Sequence, residues 1–154
     1  MHHSFSILAG KRLAALAALS LLVAACASPG GSTTASDSDD GTTVDVTLSE
    51  FKVELSTTSV PAGEVTFNVK NDGTVVHEFV VFKTDVAASA LPEASDAPEV
   101  NEDDPSLESM GEVEDVDPGA TKSFTATLTS GSYVAICNVT GHYDSGMSIA
   151  FTVP

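Results

Sequence analysis

The chain has 154 residues, with 22 acidic against 6 basic side chains and a formal net charge of −16. A surface of that sign repels a polyanion, so nucleic acid is excluded as a partner. With two cysteines and no tryptophan, the chain also lacks the means for a disulfide-dense framework or for an antibody-like core built on Trp and an inter-sheet disulfide.

Lys11 and Arg12 precede the apolar run LAALAALSLLVAA, which ends at Cys26. A charged start followed by a short greasy region is the pattern of an export leader, and the run falls short of the roughly 20 apolar residues that a membrane-spanning helix needs. Val23-Ala24-Ala25-Cys26 resembles a bacterial lipobox, in which cleavage before the cysteine is followed by lipidation of its sulfur; in an ordinary secretory signal Cys26 would be incidental. Residues 1–25 are thus expected to be a lipoprotein signal peptide, and Cys26 a lipid anchor. Acyl chains contribute about 0.8 kcal/mol per buried CH₂, and more than one chain gives stable anchoring. Loss of Lys11 and Arg12 takes the formal charge to −18. Residues 26–41 are rich in Ser, Gly, Thr and Asp, the composition of a flexible tether.

From Thr42 to Pro154 the chain reads as one domain. Thr43–Leu48, Glu64–Lys70 and Ser123–Leu128 alternate apolar and polar residues, the period of half-buried strands. Thr74–Lys83 is almost continuously apolar around His77 and Glu78, and Ser132–Cys137 and Met147–Val153 supply the last strands. Turn-forming groups at Pro61-Ala62-Gly63, Asn71-Asp72-Gly73, Pro118-Gly119 and Ser130-Gly131 separate them. No helical period is sustained, so the expected fold is all-β: seven or eight strands in a two-sheet antiparallel Greek-key β-sandwich. The interval 84–117 holds 12 of the acidic residues and prolines at 92, 98 and 105, and reads as a long acidic surface loop. Its NEDDPSLE stretch lacks the spacing of a calcium-binding loop.

Once the leader is gone the chain keeps two histidines, His77 and His142, and one unmodified cysteine, Cys137. The segment YVAICNVTGHYDSGM sets Cys137, His142 and Met147 five residues apart between two strands. A lone cysteine or methionine is ordinarily core filling, but a thiolate, two imidazoles and a weak thioether together are the ligand set of an electron-transfer copper site. The thiolate suits Cu(I), imidazole suits both oxidation states, and the thioether shapes the potential. Asn138, next to the thiolate, is a candidate outer-shell residue tuning the potential. Glu78 is another, although strand alternation points it away from His77. Phe79, Tyr133 and Tyr143 are candidates for screening the site from water, the first two equally candidates for plain core.

The pair NDGTVVHEF and CNVTGHYDSGM resembles the cupredoxins, the small blue copper proteins, over the domain from about Val44 to the end. The gaps on either side of His142 are longer than in the plastocyanin loop and resemble the auracyanin, rusticyanin and sulfocyanin branches. The resemblance implies a cupredoxin-like fold holding one copper ion, with His77 and His142 as imidazole ligands, Cys137 as the thiolate and Met147 as the axial ligand. It further implies that His142 reaches the surface as an electron route. Many members carry asparagine after the first histidine, where this chain has Glu78.

The expectation is a monomeric, membrane-tethered blue copper protein outside the cytoplasm, passing single electrons between protein redox partners and turning over no substrate. Its acidity would favour a basic partner or only confer solubility. Two alternatives use the same residues. A copper carrier would favour clusters of methionine or histidine, of which the processed chain has few, and a zinc-bound module would use two histidines and a cysteine.

Overall fold

The computed structural model describes residues 41–154, so the leader, Cys26 and all of the tether but Gly41 lie outside the described residues. Eight strands follow in chain order: β1 (Thr42–Ser49), β2 (Lys52–Leu55), β3 (Gly63–Asn71), β4 (His77–Lys83), β5 (Glu108–Val116), β6 (Thr121–Leu128), β7 (Gly131–Ile136) and β8 (Ser148–Val153). They form two four-stranded sheets with the orders β2-β1-β3-β6 and β5-β4-β7-β8. The two-sheet β-sandwich read from the sequence is the observed architecture. Its strand pairs are antiparallel except β1 with β3, which run parallel. The segment after β2 stitches the sheets along one side, where Val60 N–H donates to the Thr152 carbonyl at 2.9 Å and Thr152 N–H to that of Thr58 at 3.0 Å.

The alternating residues meet between the sheets. Val44, Val46, Leu48, Val65, Phe67 and Val69 from one sheet pack against Phe79, Val81, Tyr133, Ala135, Phe151 and Val153 from the other. Each large side chain buried this way contributes about 1.5–3 kcal/mol. Strand β4 does not alternate because both its faces are covered. Val80 and Phe82 point outward into a second cluster with Val134, Ile136, Leu91, Val100, Leu107 and Tyr143.

That second cluster corrects the reading of 84–117 as a solvated acidic loop. Residues 84–107 form a covering layer on the second sheet, anchored by buried Leu91, Val100 and Leu107, and Glu108–Val116 is the edge strand β5 paired with β4. The strand escaped notice because its interior, ESMGEVED, carries little apolar signal. An edge strand needs only one ladder, and charged side chains are the usual guard of its free edge. Gly111 permits the pairing, because it has φ 136° and a Cβ there would come within 2.9 Å of the Phe124 ring. Strand β2 is likewise a short edge strand, with Val53 its one buried residue.

Candidate metal centre

Strand geometry delivers two of the four expected ligands to the same side. The β7–β8 ladder ends with Ile136 opposite Ser148 and gains one further bond, from Cys137 N–H to the Met147 carbonyl at 3.0 Å. Cys137 therefore continues the inward series Tyr133, Ala135, and Met147 the series Val153, Phe151. Both are fully buried in the inter-sheet core. Between them the chain curls back through bonds from His142 N–H to the Val139 carbonyl (2.8 Å) and from Met147 N–H to the His142 carbonyl (3.1 Å). This turn returns His142 over Cys137.

His77, the first residue of β4, arrives from the other direction and is fully buried. Its Nδ1 lies 3.6 Å from the Cys137 Sγ, and the Nδ1 of His142 lies 3.3 Å from the same sulfur. The ligand atoms of His77, Cys137 and His142 all fall within 4.8 Å of one another. His77 is 60 positions from Cys137 and His142 only 5, and the three converge as the sequence reading expected.

Two residues that the sequence reading did not single out as site residues hold the 73–75 segment that leads into His77. Asn71, buried at the end of β3, donates through Nδ2 to the carbonyls of Val75 and Val116, both at 2.7 Å, and accepts the Gly73 N–H at 2.8 Å. Glu50, in the turn between β1 and β2, accepts the N–H groups of Thr74 (2.6 Å) and Val75 (3.0 Å) and the Thr74 hydroxyl (3.2 Å) on one oxygen. These bonds, led by the one from Thr74 N–H, hold the Glu50 carboxyl down at about 2. Nothing in the local sequence SEFK marks such a role; only the meeting of the β1–β2 turn with the β3–β4 connection creates it.

Electrostatics suit a cation. Burial holds both imidazoles below the usual histidine range, with the facing His142 acting in the same direction on His77 and Glu50 opposing it at both. Neutral rings keep a lone pair free for a metal. Burial raises the Cys137 thiol, while the amides of Glu78 and Val139 favour the thiolate. The Glu78 N–H donates to Sγ at 3.3 Å. His77 Nε2 is buried without a hydrogen-bond partner, as fits a ring oriented by its other nitrogen. Two imidazoles and one soft sulfur, with a buried methionine on the same core face, are the donor set of a one-copper site.

The remaining candidates sort by position. Glu78 reaches the site through its backbone only. Its carboxylate lies on the opposite face with those of Glu112 and Glu114, and burial, then repulsion from Glu102, Glu112, Glu114 and Glu99, pushes it up to about 7. The Asn138 carboxamide bonds Val100 and Glu102 rather than the sulfur. Phe79 belongs to the inter-sheet core. Tyr133 stacks on Phe151 and bonds Thr129, whereas the Tyr143 hydroxyl accepts the Leu91 N–H at 2.9 Å in the covering layer. His142 is partly exposed and meets the edge of Phe51, its ring centroid 5.6 Å away. Phe51, Val75 and Val76 are the exposed large apolar side chains among the described residues.

The described residues form a two-sheet β-sandwich that gathers two histidines and a cysteine at one point, the arrangement of a metal-binding protein. The chain belongs to the cupredoxin-like domain family, whose model matches residues 13–150. Solved structures agree in fold. Sodium-dithionite-reduced auracyanin from the photosynthetic bacterium Roseiflexus castenholzii is 22% identical, with 74% of this chain and 98% of that one covered and a TM-score of 0.55. Auracyanin A from Chloroflexus aurantiacus is 26% identical over 74% and 99% of the two chains, with a TM-score of 0.54. Auracyanin B is 27% identical over 73% and 88%, with a TM-score of 0.53. No curated protein matches the chain.

Proposed function

We propose that this protein is a membrane-tethered blue copper protein that shuttles single electrons between protein partners outside the cytoplasm. The observation that carries the reading is the placement of two imidazole Nδ1 atoms 3.6 and 3.3 Å from one buried cysteine sulfur. Family membership supports copper as the cofactor, and auracyanin A is itself a "blue" copper protein. His77, Cys137 and His142 would hold the ion, with Met147 as the weak fourth ligand. Bound there, copper supplies a one-electron couple.

The chain's own residues do the rest. The sandwich core under Cys137 and Met147 keeps that side of the site dry. The amide of Glu78 partly neutralises charge on the sulfur, and Asn138 anchors the segment that follows the thiolate, which is the basis for assigning it influence over the potential. His142, partly exposed beside Phe51, offers a way out for an electron. In this reading a lipid on Cys26 anchors the domain to the membrane, and the acidic surface favours a basic partner.

A visible spectrum of the Cu(II)-loaded protein beside its Cys137→Ser variant tests the proposal. An intense thiolate-to-copper band that ascorbate bleaches, an oxidant restores and the variant lacks is expected. A protein that binds Cu(I) or zinc with no such band would overturn the electron-shuttle reading in favour of metal transport or a zinc module.

A further inference from the structure

The turn between the first two strands addresses both imidazoles of the site. The Glu50 Oε1 stands 3.8 Å from His77 Nε2, and the ring of the next residue, Phe51, meets His142 at an interplanar angle of 81°. The carboxylate is not free to swing away. Its Oε1 is held by two backbone amides and one hydroxyl of Thr74 and Val75. Close approach is built in at Gly73, where a Cβ would lie 2.7 Å from Glu50 Oε1 and 2.9 Å from His77 Nε2. His77 Nε2 has no hydrogen-bond partner, so this carboxylate is the nearest negative charge facing the outer nitrogen of the ring.

We infer that Glu50 is a positioning residue for His77: its fixed carboxylate keeps the proton on Nε2, leaves Nδ1 facing the sulfur, and lowers the reduction potential of the centre. This rests on the copper reading above. The physical basis is Coulombic. A negative charge close to Nε2 favours the tautomer with hydrogen on that nitrogen, and it favours the more positive, oxidised state of an ion held through Nδ1. At 3.8 Å the contact is too long for a hydrogen bond, so charge rather than directional bonding carries the effect. A neutral isostere therefore removes it.

The test compares the full-length protein with Glu50→Gln, which keeps an oxygen for the 74–75 amides but loses the charge, and with Glu64→Gln, which removes one exposed charge from the start of β3. Two quantities are read. The His77 tautomer ratio is measured in the metal-free protein by nitrogen-15 NMR, and the midpoint potential in the copper protein against a mediator. Glu50→Gln is expected to lower the Nε2–H to Nδ1–H ratio at least threefold. It should also move the redox equilibrium at least threefold toward the reduced form, about 28 mV at 59 mV per tenfold, with Glu64→Gln changing both by less.

If either quantity in folded Glu50→Gln stays with Glu64→Gln, the assignment fails. Should Glu50→Gln not fold, Glu50→Asp decides by the same two readouts, since it retains the charge but retracts it by one methylene and shifts both in the same direction by less. Absence of a thiolate band in the wild-type protein would overturn the copper reading and this inference together. An unmoved potential with the band intact would overturn the role of Glu50 alone.

Discussion

The carboxamide of Asn138 pairs with both backbone groups of Val100, accepting its N–H at 2.7 Å and donating to its carbonyl at 3.1 Å. The residue after the cysteine thereby docks the covering layer onto the metal centre, with a further bond from Nδ2 to Glu102 at 2.7 Å. Asn138→Ala leaves two buried backbone groups of Val100 unpaired, each costing about 1–3 kcal/mol. A loss of roughly 3 kcal/mol in chemical denaturation is expected. A shifted midpoint potential should accompany it, and an unchanged potential would mean that Asn138 serves the fold alone.

Asn71 plays the corresponding part beneath His77, with three bonds that hold the 73–75 segment against β5. Asn71→Ala strands the Val75 and Val116 carbonyls and frees the approach to His77. Stability should fall by about 3 kcal/mol. Copper affinity, measured by competition with a chelator, should weaken with it, since the ligand's entry into β4 is no longer defined.

Gly111→Ala combines two penalties, a left-handed φ of 136° and a Cβ 2.9 Å from Phe124. Destabilisation of about 2–4 kcal/mol is expected from strain and overpacking. Phe124→Leu, unfavourable in the wild-type background, should recover part of that loss when combined with Gly111→Ala. A double-mutant cycle with no coupling would place the cost of Gly111→Ala entirely in the backbone.

The carboxylates on the outer face of β4 make stability depend on pH. Glu78 sits at about 7 against an ordinary 4.5, and burial also raises Glu102, although its bond from Asn138 works the other way. The groups facing them are Glu99 and Asp103 on the covering layer and Glu112 and Glu114 on β5. The folded state then binds protons that the unfolded chain has released, so this contribution is complete below pH 4.5 and is lost as pH rises through 7. His77 and His142, held below the usual histidine range by burial, act in the opposite direction over the same interval, so the Glu78 contribution is read as the difference between the metal-free wild type and Glu78→Gln. Glu78→Gln should gain on wild type as pH rises from 5 and exceed it at pH 8 by on the order of 1 kcal/mol, roughly 4 °C, after allowance for solvent screening. Equal melting of variant and wild type across this range would show that Glu78 is not charged against the fold.

Much of this molecule is legible in one dimension because its information is local. Period-two alternation located β1, β3 and β6, since a half-buried strand must alternate whatever it packs against. The interval from Cys137 to Met147 exposed three donor residues at once, since the loop between two adjacent strands is too short to scatter them. His77 was separable for a different reason. Once the leader is set aside, only one other histidine exists.

Tertiary structure alone decided what depends on a partner from elsewhere in the chain. Strand β5 exists because β4 offers it a ladder and Gly111 lets it come close to Phe124, and neither condition leaves a periodic trace. The acidic interval became a covering layer because Leu91, Val100 and Leu107, sparse in a charged stretch, find Val80 and Phe82 on the outer face of β4. Glu50 and Asn71 acquire their roles only when the β1–β2 turn and β5 meet the β3–β4 connection that leads into His77. Sequence by itself determined which side chains are able to bind a metal, because donor chemistry belongs to the residue. Orientation of those donors came from the fold, because the groups that fix a ring in place are recruited by distance in space rather than along the chain.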